Sequence, residues 1–541
     1  MFTMAQWATN SEAAKALARM SARQAKGDPG LAKLVRERQD LVLEWRTRDE
    51  LRNTNVSQPA EKRNRETEGE NLTRLDIIDK RVAAIDKALS AQFPDYAALT
   101  NPEPLSVLEV QAQLGANEAL VLFLDASKRE PTPEETFIWI VTKTDMRWLR
   151  SDIGTQALAQ EVSALRCGLD KAGWTKGASC KQLTGRNAPN DELHFDIARS
   201  HRLYETLLGP AKDLIKGKDL SIVPSGALTQ LPFQVLVTEP LAATDYRSVP
   251  WLIRDHALTV LPAVSSLTAL RRVSRPSKAS KPLIGFGNPL LDGPDASYLE
   301  YARLAQGKRS CRDDNWERIA TNFGLLNGVA PIDMRRGLAN ISQLRKQMPL
   351  PETAEELCAV AADIKADVSE VRLGARATES EVKKLSESGA LADYRVVHFA
   401  THGAMAGELS GDSEPGLILT PPDQATEQDD GYLTASEIAA LQLDADWVVL
   451  SACNTAAGDA ANAEALSGLA RAFIYAQARA LLVSHWAVDS HATVKLITTA
   501  MREITRDKPV GRAEALRRAM LVSRLRITDQ FAASAFGNSE T

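Results

Sequence analysis

Two stretches of this 541-residue chain couple an apolar run to an abrupt polar ending. The first is RVVHFATHG, Arg395 to Gly403, which gives way to Thr401-His402-Gly403. The second is WVVLSACNT, Trp447 to Thr455, which runs out into Ser451-Ala452-Cys453-Asn454. Each reads as a buried strand followed by a loop. In an open α/β sheet, ligands bind beyond the carboxyl ends of the strands. Two parallel neighbours would therefore deliver His402 and Cys453 to one crevice. In cysteine chemistry the thiolate is the nucleophile, a free thiol titrates near ~8.5, and an adjacent imidazole lowers that value and carries the proton. The glycine after the histidine lets a substrate carbonyl approach the backbone. The N–H groups of Gly403 and Cys453 can then face a developing oxyanion.

The same residues have plainer readings. A cysteine on an apolar strand is often packing, and on the residues alone Cys453 stays open between packing and nucleophile. His398 lies inside its strand and reads as a core or supporting histidine. HFATH has the HxxxH spacing of a zinc helix, but the segment reads as a strand and lacks the glutamate of that motif. GFGNP, Gly285 to Pro289, lacks the third glycine of a phosphate loop and reads as a strand-end turn. VPSGAL, Val223 to Leu228, lacks the GxSxG elbow of the α/β-hydrolases.

These strand ends need a sheet to hold them. From about residue 200, the short apolar runs Leu220–Val223, Leu258–Leu261, Leu283–Phe286, Val371–Leu373, Arg395–Phe399, Trp447–Leu450 and Leu481–Val483 alternate with helical stretches at 353–366, 376–390, 434–441, 464–476 and 491–505. Such alternation predicts a mostly parallel sheet flanked by helices. The stretch from about 291 to 349 breaks the rhythm and reads as an insertion. Before it, Ala119–Leu124 and Phe137–Val141 read as paired strands of a small region over 96–200. At the N-terminus, residues 11–52 and 72–92 carry apolar positions at steps of three and four, separated by a polar stretch with Pro59. Two such helices predict a hairpin over 1–95. Asp429-Asp430-Gly431 reads as a turn leading to an N-cap at Thr434, with Glu437 three residues on. Gly407–Pro415 reads as a loop following His402.

Composition narrows the class. Apolar residues make up 44% and charged residues 25%, the balance of a globular protein. Lys+Arg is 65 against Asp+Glu 70, a net charge of -5, which argues against a dedicated nucleic-acid binder. No run approaches the ~20 apolar residues of a membrane span, and no secretory signal is visible, so the cytoplasm is the default expectation. The five cysteines, an odd number at irregular spacing, are a poor disulfide framework and hold no CxxC pair. The expectation is a reducing compartment, with each thiol either packing or reactive.

HFATHG at 398–403 and VVLSACNT at 448–455 resemble the two signature strand ends of CHAT domains, which are caspase-like cysteine peptidases. The resemblance continues through Ala465–Thr493 and, upstream, through Leu203–Leu236, Leu252–Arg271 and Phe93–Leu124. It implies a caspase-haemoglobinase-like α/β fold over 201–541, with Cys453 as nucleophile and His402 as general acid/base in a dyad without an obligatory acidic third member. It further implies an endopeptidase that cleaves an extended protein substrate through an acyl-thioenzyme, without metal or organic cofactor, in bacterial defence or signalling. Regulation by an activating protein partner or a helical-repeat segment belongs to the same expectation, with no nucleic acid bound directly and no membrane. Relatives often carry tetratricopeptide repeats, and the N-terminal helices resemble the tail of such an array, so the chain reads as a fragment or as a repeat-less member. Relatives commonly show two acids where this chain has Asp489-Ser490; with Ser451, these are the candidate substrate-pocket residues. A single acid there puts a basic P1 preference in doubt, because a buried guanidinium without a partner is costly. After Ile527 the chain also departs from the Trp-containing strand usual in the family. The alternative is a catalytically silent scaffold for protein–protein assembly.

Overall fold

The computed structural model describes residues 1–9, 65–92, 104–169, 179–186, 193–241, 246–261, 263–267, 277–311, 332–335, 338–404, 409–410, 415–426, 428–451, 476–483, 490–504 and 510–527, with scattered single positions between them. They divide into two units, Met1–Thr9 with Pro104–Thr541, and Asn10–Glu103. The chain opens with helix α1 (Phe2–Thr9), which belongs to the larger unit: Phe2 meets the Trp139 ring edge-on and Gln6 donates to the Leu105 carbonyl at 2.8 Å.

The smaller unit is built on α2 (Arg65–Gln92), whose Leu75, Ile78 and Ile85 are buried at the seven-residue rhythm seen in the sequence. Leu34, Glu37, Leu41, Glu44, Trp45 and Arg48 are helical positions of the preceding segment. Arg81 forks onto Glu37, Arg74 forks onto Glu44, and the Asn71 amide donates to the Arg48 carbonyl. Partner numbers fall on one side as they rise on the other, so the two segments run antiparallel. The guanidinium groups of Arg74 and Arg48 hold the Glu44 carboxyl down to about 2. The polar stretch around Pro59 lies outside the described residues.

In the larger unit, β1 (Glu118–Ala126), β2 (Glu135–Thr142) and β3 (Met146–Ser151) form an antiparallel meander, entered from the short helix α3 (Val107–Gln113). Helices α4 (Thr155–Arg166) and α5 (Ile197–Leu207) then lead to β4 (Asp219–Val223), which pairs in parallel with β1, and β5 (Leu258–Val260) pairs in parallel with β4. The order is β3-β2-β1-β4-β5. The strands β4 and β5, grouped in the sequence reading with the large parallel sheet, belong instead to this first sheet. β4 pairs with β1, about a hundred residues upstream, and β5 follows on β4; an apolar run says nothing of which neighbour it pairs with.

The second sheet begins with β6 (Lys281–Gly287). After it come α6 (Leu299–Gly307), the ribbon β7 (Ile332–Arg335) and β8 (Leu338–Ala339), α7 (Glu352–Asp363), β9 (Val371–Leu373), α8 (Glu379–Glu387) and β10 (Tyr394–Ala400). The remaining elements are β11 (Gly403–Ala404), β12 (Leu409–Ser410), β13 (Gly416–Ile418), β14 (Tyr432–Thr434), α9 (Ala435–Ala439), β15 (Trp447–Ser451), β16 (Leu481–Val483), α10 (Ser490–Ile504) and α11 (Arg512–Ile527). The sheet order is β16-β15-β10-β6-β9, with every pairing parallel. This is the expected mostly parallel sheet flanked by helices, consistent with a caspase-like fold. Strand alternation divides its residues. Val396 and Ala400 of β10 and Val449 of β15 pack with Leu357 of α7 and Ile497 of α10. Phe399 turns to the other face, where it stacks on Phe286 and meets Phe473 at a tilt.

Two close approaches set α7 on this sheet. A Cβ at Gly285 would come to 2.9 Å from a Leu357 methyl, and one at Gly287 to 2.6 Å from the other methyl and 3.0 Å from the Ala400 carbonyl. GFGNP is accordingly a strand-end turn: β6 stops at Gly287 and Asn288 takes the left-handed conformation (φ 52). The buried Asn288 amide secures that turn by donating to the carbonyls of Ala305 and Lys308. Within the expected insertion, α6 and the β7–β8 ribbon are ordered elements, and β12, from the stretch read as a loop after His402, pairs in parallel with β7.

The cysteines correct the sequence reading. Cys167 bonds to Cys180, and Cys311 bonds to Cys358 on α7, with Cα–Cα distances of 5.6 and 5.5 Å. The pairs are 13 and 47 residues apart, and the odd count arises because one cysteine is left over. Neither spacing forms a local motif, so only the fold shows who meets whom. Among the described residues, no helix is long and apolar enough to cross a membrane.

Candidate active site

The site is assembled at the carboxyl ends of β10 and β15. β10 is a central strand, bonded to β6 on one side and β15 on the other, which explains its unbroken apolar run. Register pairs His398 with Val449 and Ala400 with Ser451. In sequence, His402 and Cys453 each stand two residues past that last pair. Cys453 itself lies outside the described residues, as do Asp489 and the stretch beyond Ile527. Ser490 opens α10, and its side chain is likewise outside the description.

His402 is held from both sides. The Thr401 hydroxyl donates to the Ile418 carbonyl, and the Ile418 N–H donates to the His402 carbonyl at 2.9 Å. Gly403 then enters β11, which pairs with β13, and β13 pairs with β14. The imidazole is 6% exposed, and its Nε2 donates to the carbonyl of Met348 at 2.7 Å. A carbonyl only accepts, so this bond places the ring proton on Nε2 and leaves Nδ1 to take up and return a proton. Burial holds the imidazole below its ordinary pKa, opposed by the bond to Met348. Met348 is the participant that sequence reading missed. Its contribution is a backbone oxygen, 54 residues from the histidine, and no side-chain motif announces it.

His398 is fully buried, as its place inside the strand predicts. Its Nε2 lies 2.7 Å from Ser451 Oγ and 3.0 Å from Glu356 Oε1 on α7. Ser451, a candidate for the substrate pocket, is 5% exposed with its hydroxyl on His398. The residue shares the α7 side of β15 with Val449. His398 and His402 address different partners, and among the described residues no three His, Cys, Asp or Glu gather where they could hold a metal ion.

The turn at Asp429-Asp430-Gly431 closes the β13–β14 side. Glu379 of α8 accepts the N–H groups of Asp430 and Gly431, and Asp430 accepts those of Ala339 and Tyr432. The expected capping box at Thr434 and Glu437 is formed. Gly431 sits at φ 83 with Pro421 only 2.7 Å from where a Cβ would stand, so the turn requires glycine.

A parallel sheet flanked by helices, with a histidine-glycine at the end of one central strand and the approach to a cysteine on its neighbour, is the arrangement of a caspase-like domain. The family model for the CHAT domain matches residues 198–530, well over half of the chain. The chain belongs to the CHAT domain family. CHAT domains are members of the caspase-like cysteine peptidase clan, and both signature strand ends of this CHAT chain fall within the matched span. No curated protein matches the chain.

Proposed function

We propose that this CHAT protein is a cysteine endopeptidase that cleaves a protein partner through Cys453 and His402. The observation that carries the proposal is the buried His402 at the end of β10, fixed in one tautomer by Met348, in register with the strand that leads to Cys453. The thiolate of Cys453 attacks the scissile carbonyl, and the N–H groups of Gly403 and Cys453 face the oxyanion. Nδ1 of His402 carries the thiol proton to the departing amine. Water, deprotonated by the same nitrogen, then hydrolyses the acyl-thioenzyme. Asp489 and Ser490 serve as substrate-pocket residues, and a helical segment or activating partner governs access. Neither a cofactor nor a direct nucleic-acid contact enters this scheme.

Incubating the protein with a cellular protein extract and sequencing the new N-termini by mass spectrometry tests the proposal and reads out P1. Cys453→Ala should abolish the new termini, and His402→Ala should reduce them by ~10²–10⁴-fold. Unchanged cleavage by Cys453→Ala would refute the mechanism, and no cleavage by the native protein under any condition would favour the scaffold. For the compartment, we propose the cytoplasm, which requires both disulfides to be open there, since reducing compartments keep thiols free. Counting thiols after rapid alkylation in the cell decides it: five free thiols support the cytoplasm, one supports an oxidising compartment.

A further inference from the structure

Glu356, His398 and Ser451 are 3%, 0% and 5% exposed, and they meet at one atom, the Nε2 of His398. Burying three polar side chains is costly unless their bonds return the loss, and an apolar trio of the same volume would serve stability at least as well. Directional bonds differ from apolar contacts in fixing position and register. A serine-histidine-acid triad is not the explanation. In such a triad the serine and the acid occupy opposite ring nitrogens, whereas here both face Nε2. Among the described residues, His398 Nδ1 and Glu356 Oε1 have no hydrogen-bond partner.

What the trio does have is placement. His398 stands on β10 four residues before His402, and Ser451 ends β15 two residues before Cys453. Glu356 lies in the second turn of α7, the helix entered directly from the loop whose Met348 carbonyl holds His402. The three side chains therefore belong to the same three segments that supply the base, the nucleophile and the anchor of the base. We infer that His398 is a positioning residue, pinning β10 to β15 through Ser451 beside Glu356 of α7, and so setting the end of β10 that carries His402 against the end of β15 that leads to Cys453. This rests on the proposed dyad. The inference requires no contact between His398 and substrate.

The test is the pH dependence of Cys453 alkylation by iodoacetamide, read by mass spectrometry on the peptide that contains Cys453, with no substrate needed. In the native protein the thiol should titrate below the ~8.5 of a free cysteine, and His402→Ala should return it there. His398→Leu should raise the titration by about one unit, slowing alkylation at pH 6.5 about tenfold. His398→Gln, which places an amide nitrogen near the position of Nε2, should restore most of the native rate. Circular dichroism and the thermal midpoint report folding. Should His398→Leu not fold, Ser451→Ala, which deletes a single oxygen, carries the same test. A folded variant with the native titration curve overturns the inference, even if its midpoint falls, because that is the result of packing alone. Equal slowing in His398→Gln and His398→Leu overturns it too. If the native thiol titrates like a free one and His402→Ala changes nothing, the dyad reading fails first and takes this inference with it.

Discussion

The proton on His402 Nε2 has a consequence for pH. Burial lowers the pKa of this imidazole in the folded chain, whereas the unfolded chain returns it to ~6.5. Between those values the unfolded state binds the extra proton, so the contribution of His402 to stability is present above about pH 6.5 and is lost as pH falls through the folded value. Replacing His402 with Gln should flatten that part of the stability profile, measured by urea unfolding between pH 7.5 and 5. The same shift keeps His402 unprotonated near neutrality, so under the proposed mechanism the acid limb of peptidase activity should lie below pH 6.5. His402 was legible in the sequence because a strand running into Thr-His-Gly is a local pattern. Its anchor was not, since any residue can offer a carbonyl. The bond from Ser451 to His398 was not legible for a related reason: alternation along a strand sets a residue's face, but the sequence does not say what that face meets.

Among the elements, α7 matters most, because one helix carries Leu357 onto the glycines of β6, Glu356 onto His398 and Cys358 into a disulfide. Gly287→Ala would drive a methyl group into Leu357 and the Ala400 carbonyl. Overpacking of this kind costs about 1–3 kcal/mol, and a lowered thermal midpoint should accompany a drop in Cys453 alkylation as α7 is pushed off the sheet. An unchanged midpoint would show that Leu357 yields without moving the helix. The strands of the parallel sheet were readable from their continuous apolar runs, and α7 and α10 from their spacing. β3 was missed: MRWLRS alternates exposed and half-buried residues on an edge strand, with arginines where a buried strand would be apolar. The two- to four-residue strands β7, β8 and β11 to β14 are too short for any period to show.

For the whole molecule, two disulfides account for four of the five cysteines, so no cysteine of the chain remains to pair with Cys453. Pairing partners are a property of the fold, which is why cysteine counting pointed the wrong way. The same holds for the grouping of strands into two sheets, where β4 crosses back to β1. The bond between Cys311 and Cys358 also does something that the hydrogen bonds do not. It closes the backbone from 311 to 358 into a covalent ring, and Met348 is a member of that ring while His402 stands outside it. In the chain-entropy account, closing a ring of this size restricts the unfolded chain by about 4 kcal/mol, so Cys311→Ser with Cys358→Ser should unfold at markedly lower urea. A reductant that opened the ring would slacken the tether of the proposed base, so the redox state of the surroundings is written into the reach of a single carbonyl oxygen.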